Sequence, residues 1–216
     1  FVSGTMPPQL TRLRHLSAMG LAATHVSGTI PKQWSQLTKL QLLNLFSGSL
    51  SGTIPAEWGG LSMFNFIVSN SSLSGMFSFA ALPGWSGLKK VDIAGNNFSG
   101  ALLEDCGQLH AGGLNGGLAT IKANGNRFDG SISDSCISRL PDLQDLLLHD
   151  QQAGFGFDGF LPEELTQLTR LQNLVAIGNR LSGTLPRNLA NLSNLQVMAL
   201  AGNRISGSVP PSLAAI

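Results

Sequence analysis

Charge is what this chain has least of. Only 12% of its 216 residues are charged, and 13 basic against 12 acidic residues leave a formal net charge of +1. They are scattered without runs, so no stripe of one sign is available to hold nucleic acid or anionic lipid, and no nucleic-acid partner is expected. Long apolar runs are missing too. No stretch reaches the roughly 18 residues needed to cross a bilayer, so no membrane contact by this segment is expected, and attachment outside it is left open. Phe1 to Gly4 lacks the basic and apolar parts of a signal peptide.

Catalytic and metal signatures are absent as well. His15, His25, His110 and His149 are far apart in register, and none falls at metal-ligand spacing with the two cysteines. There is no hydrolase elbow and no kinase signature. The paired glycines between Leu109 and Gly117 lack the Gly-Lys-Ser/Thr ending of a phosphate loop. Glu163 and Glu164 follow Pro162 at a turn, where acidic residues are usually just solvated. No enzyme activity, cofactor or metal is expected.

What is present is a repeat. Hydrophobic residues make up 43% and there are 26 glycines, a composition that excludes a disordered chain. Leu168, Leu171, Leu174, Asn179, Leu181, Ser182, Gly183 and Pro186 are echoed by Leu192, Leu195, Met198, Asn203, Ile205, Ser206, Gly207 and Pro210. The equivalent glycines are Gly4, Gly28, Gly52, Gly75, Gly100, Gly130, Gly159, Gly183 and Gly207. A fixed period of this length marks a solenoid, in which each turn buries its apolar face against its neighbours. Residues 1–216 are therefore expected to form a single domain of about eight repeats of ~24 residues. Both ends fall mid-repeat, which suggests a segment of a longer protein without its capping turns.

Within a repeat, Leu43-x-Leu45 has the two-residue period of a half-buried strand. Strands stacked about 4.8 Å apart give one continuous parallel sheet. Asn96, Asn126, Asn179 and Asn203 share one position after the strand, where a side-chain amide can satisfy turn backbone. Thr24, Gly48 and Ser71 stand there in the first half, predicting a less regular turn.

These residues resemble the leucine-rich-repeat family in its plant-type variant, L-x-x-L-x-x-L-x-L-x-x-N-x-L-S-G-x-I-P. Val26 to Pro31, Leu50 to Pro55 and Leu181 to Pro186 carry the closing motif. The resemblance implies a right-handed leucine-rich-repeat solenoid, with a parallel β-sheet on the concave face, short second strands, and turns or 3₁₀ segments on the convex face. It also implies an extracellular or cell-surface recognition module, as in receptor-kinase ectodomains. Trp34 and Trp58, three residues after their prolines, look like the repeats of kinetoplastid surface antigens.

The register then assigns outward-facing residues: Asn44, Phe46, Asp92, Lys122, Asn124, Leu147, His149, Val175 and Ile177 are candidates for binding a protein or peptide. Ile67 and Ser69 belong to the same rows, with their register uncertain by one residue in a short repeat. Phe46, Leu147, Val175 and Ile177 are read as an apolar surface around Asp92 and Lys122. An insertion after the sixth strand, Asp150 to Gly156, is expected at the rim. Either Gln151, Gln152 and Phe155 contribute to recognition there, or Phe155 folds back onto the core. A second insertion, Leu109 to Gly117, should bulge on the convex side. Cys106 and Cys136 occupy one slot in adjacent turns, compatible with a disulfide or with two buried thiols. Asn70, Asn97 and Asn191 open glycosylation sequons. A ligand-recognition module and a structural component of a surface assembly are both compatible with these features.

Overall fold

A computed structural model describes residues 2–46, 48–104, 106, 109 and 117–215. The convex-side insertion lies outside the described residues except for its ends, Leu109 and Gly117.

Eight short strands form the first sheet: β1 (Ala18–Gly20), β2 (Leu42–Asn44), β3 (Asn65–Ile67), β4 (Lys90–Asp92), β5 (Thr120–Lys122), β6 (Asp145–Leu147), β7 (Asn173–Val175) and β8 (Val197–Ala199). They lie in sequence order and pair in parallel, because each turn hands the chain to the same place one strand on. The two-residue alternation decides which side chains go in. Leu43, Phe66, Val91, Ile121, Leu146 and Leu174 are fully buried from the strand centres, with Leu45, Val68, Ile93 and Leu148 behind them. The register pairs Asn44 with Ile67 and Ile67 with Asp92, which settles the position of the short repeat as expected.

A second parallel sheet runs along the flank at the Ser-Gly steps. Its strands are Ser3–Thr5, His25–Thr29, Ser49–Gly52, Ser72–Met76, Asn97–Gly100 and Arg127–Phe128. Ser182–Gly183 pairs with Arg204–Ile205 beyond it, and the bridges Ser131 to Asp158 and Phe160 to Ser182 connect the two. The glycine is required for two reasons, as Gly52 illustrates. Its φ of 80° lies in the left-handed region, and a Cβ there would meet Thr29 Cγ2 at 3.0 Å.

The convex side is mostly 3₁₀ segments, including Lys32–Gln36, Ala56–Gly60, Pro83–Gly87 and Glu163–Gln167, with one α-helical turn at Asp134–Ile137. Three tryptophans clamp the first turns from this side. Trp34 stacks on Trp58 at 6.2 Å between ring centroids. Each indole N–H donates to a carbonyl one turn back: Trp34 to Pro7, Trp58 to Pro31 and Trp85 to Trp58. All three rings are buried, so they supply apolar area while their polar atom stays paired. Trp85 thus plays the part of Trp58 in its own turn, displaced by the extra segment Phe79–Ala81.

Cys106 and Cys136 form a disulfide, with Cα atoms 5.1 Å apart, one strand spacing. Both are buried. The bridge joins the turns of β4 and β5.

The expected amide ladder is present and longer than its four asparagines. Asn126 is typical: its Oδ1 accepts from the Phe98 N–H at 3.0 Å, and its Nδ2 donates to Ile93 and Ala123 carbonyls. Asn96, Asn179 and Asn203 make the same bonds. In the long repeat Gln151 takes the place: its Oε1 accepts from the Phe128 N–H, and its Nε2 donates to Ala123 and Leu148 carbonyls. In the first half the turn is less regular, as expected. Thr24 bonds only its own turn, and Ala23 and Asn70 adopt positive φ where later turns have Gly95, Gly125, Gly178 and Gly202.

Candidate functional site

The concave sheet presents three rows of side chains. The middle row runs Asn44, Ile67, Asp92, Lys122, Leu147 and Val175 in direct register. The row beyond the strands includes Phe46, Asn124, His149 and Ile177, and the backbone bond from Gly125 to His149 places Asn124 beside His149's turn. A third row was not assigned from the sequence: Asn65, Lys90, Thr120, Asp145 and Asn173, each two residues before the middle row. The same two-residue alternation, counted backwards, would have found it. This row is polar and internally bonded. Asp145 accepts from Thr120 Oγ1 at 3.1 Å and from Asn173 Nδ2 at 2.7 Å, which joins three turns.

The apolar surface divides in two. Leu147 and Val175 are register partners, with Ile177, 38% exposed, on the turn of Val175. Phe46 is exposed, but β3, β4 and β5 separate its turn from that of Leu147, about 19 Å at one strand spacing per turn. A single patch joining Phe46 to Leu147 is therefore corrected to a lone ring and a separate C-terminal strip. Ser69, expected to face outward, is only 3% exposed. Asp92 and Lys122 are register neighbours, yet no ion pair joins them among the described residues. His149 instead contacts Asp150, with Nδ1 to Oδ2 at 2.8 Å.

The rim loop is tied down rather than raised. With its amide committed to the ladder, Gln151 cannot offer that group to a partner without breaking backbone bonds. Gln152 reaches back two turns, donating to Asn96 O and Asn97 Oδ1, and its Oε1 accepts from Arg127 Nε at 2.7 Å. From the following turn Arg180 donates to Gly156 O at 2.9 Å. Phe155 ends half-buried. Of the two alternatives expected for this insertion, the geometry departs from a loop raised off the rim, since both glutamine amides are bonded to neighbouring turns and Phe155 is half-buried. The signal for Gln151 was in the sequence: it stands three residues after Leu148, as Asn126 stands after Ala123.

Of the sequon asparagines, Asn70 and Asn191 are exposed, while Asn97 is half-buried with its Oδ1 bonded to Gln152. No group of three His, Cys, Asp or Glu side chains among the described residues could hold a metal ion. No helix among them is long and apolar enough to cross a membrane.

A Leucine Rich Repeat family model matches residues 87–109 and 194–216. No curated protein sequence matches the chain. Among solved structures, the leucine-rich-repeat ectodomain of the Arabidopsis thaliana membrane receptor kinase GASSHO1/SCHENGEN3, in complex with CASPARIAN STRIP INTEGRITY FACTOR 2, is 27% identical over 98% of this chain and 24% of its own, with a TM-score of 0.87. The Arabidopsis receptor kinase HAESA, with the peptide hormone IDA and the co-receptor SERK1, is 27% identical over 99% of this chain and 34% of its own, with a TM-score of 0.88. A leucine-rich-repeat protein of Leptospira interrogans is 26% identical over 94% of this chain and 47% of its own, with a TM-score of 0.72. The chain thus spans about a quarter to a third of the two receptor chains. Parallel strands in consecutive order, the amide ladder and the repeat motif give the chain a leucine-rich-repeat solenoid fold, and its likenesses at 27% identity are to plant receptor-kinase leucine-rich-repeat ectodomains.

Proposed function

We propose that this solenoid is a non-enzymatic recognition module, part of the ectodomain of a secreted or cell-surface protein, which binds a protein or peptide through its concave face. The observation that carries the reading is the strip of Leu147, Val175 and Ile177, apolar side chains on adjacent strands of an open sheet face. Lys122, Asp92, Asn124 and His149 lie on the turns beside it and supply polar contacts at its edge, while Asn44 and Phe46 form a separate contact further along. At the rim, Phe155 contributes its exposed part, and Gln151 and Gln152 act by fixing the loop. The two similar receptor ectodomains are each solved with a bound peptide or protein factor, which favours the same class of partner. An oxidising, extracellular setting is supported by the disulfide, and Asn70 and Asn191 are the sequon positions open to glycans there.

The test starts from a displayed random-peptide library selected against the full chain. Leu147→Lys with Val175→Lys should weaken enriched peptides at least about tenfold, through lost burial and an added desolvated charge, with the thermal unfolding transition retained. Peptides that bind both forms equally would refute the assignment.

A further inference from the structure

Acidic residues are unevenly placed along this chain. Eleven of the twelve lie between Asp92 and Glu164, where there are three lysines and arginines; Arg170 to Ile216 has four arginines and no acid. The fold collects six of those acids on one flank, along the second sheet and the convex segments below it. Glu104 accepts from the Ser131 N–H, and Ser131 bridges to Asp158. A shallow groove of about 540 Å³ next to them is lined by Asp134, Phe160, Pro162, Glu163 and Glu164. Asp129 lies on the same strand step as Gly130, against Glu104.

Phe160 is the one aromatic side chain in its row, which otherwise holds threonine, serine, alanine and the exposed Met76. The threonines, Thr5, Thr29, Thr53 and Thr184, follow the glycine and pack their methyl groups on the next turn. Phe160 is 67% exposed and lies over Gly183. Arg180 approaches Asp158 at 3.6 Å, and among the described residues no ion pair engages Asp129, Asp134, Glu163 or Glu164. Those carboxylates do not converge on a metal site either. Charge spread over three turns beside an open aromatic ring matches an extended polycation whose guanidinium groups can also stack on the ring.

We propose that this flank is a second docking surface, distinct from the concave face, for an arginine-bearing basic segment of a partner protein. Charge complementarity brings such a segment to the face, and Phe160 favours arginine within it.

Fluorescence anisotropy of labelled peptides alternating arginine or lysine with glycine, titrated with the full chain, tests this. A glutamate–glycine peptide is the control. The arginine peptide should bind most tightly and weaken steeply as salt rises from about 50 to about 300 mM. Phe160→Thr, which installs the residue other turns carry, should weaken it about fivefold. The triple variant Asp134→Asn, Glu163→Gln, Glu164→Gln should weaken it by about tenfold or more, and Leu147→Ser with Val175→Ser should leave it unchanged. Equal binding of the glutamate peptide, or an arginine-peptide affinity unmoved by both flank variants, would overturn the proposal.

Discussion

The two halves of this solenoid hold their turns together from opposite sides. In the turns of β1 to β3, Trp34 stacks on Trp58, Trp85 packs against Phe66 and Phe77, and all three bond back to the preceding turn on the convex side, while Thr24, Gly48 and Ser71 make a weak rim. From β4 onward the rim carries five amides, and the convex slot holds Cys106, Cys136, Leu165 and Leu189. A turn therefore needs one strong inter-turn tether beyond its strand bonds, and either side can supply it. The half that tethers through its rim is also the half with the apolar strip and the acidic flank.

That division can be broken selectively. Trp58→Ala should have the largest effect, a loss of about 3–5 kcal/mol, since a fully buried ring and an indole bond disappear together; denaturant unfolding followed by circular dichroism measures it. Next comes opening of Cys106–Cys136, by reduction or by Cys106→Ser with Cys136→Ser, at about 2–4 kcal/mol in the same assay. Asn126→Ala leaves the Phe98 N–H unpaired in the buried rim and takes one of two side-chain donors from each of the Ile93 and Ala123 carbonyls, and should cost about 1–3 kcal/mol. Gln151→Asn, one methylene short of its partners, should cost a similar amount, whereas a free rim loop would leave stability unchanged. The smallest effect has the opposite sign. Ala23→Gly relieves a φ of 53° at an exposed position and should stabilise by about 0.5 kcal/mol.

The fold was legible because a two-residue alternation inside a 24-residue period leaves one arrangement that buries the leucines. The row of Asn44 and Asp92 and the shared slot of Cys106 and Cys136 followed directly, whereas the one-residue register of Ile67 and the bonding of the two cysteines were decided by the structure. What escaped depended on distances across turns. Gln151 was assigned to a loop because an insertion followed it, although its amide fits the ladder. Phe46 joined the apolar strip in a residue list that ignored the three intervening strands. The acidic flank escaped because charge was summed over the whole chain, although eleven of the twelve acids already fall between Asp92 and Glu164 in the sequence; the fold adds that six of them share one flank.

Hydroxyl-radical footprinting of the full chain, with and without a library-selected peptide, tests the binding assignment most directly. Oxidation of Leu147, Val175 and Ile177 should fall on peptide binding, while Phe160 and Met76 on the flank stay as reactive as before. Unchanged oxidation at those three side chains, with protection elsewhere, would contradict recognition through the concave face.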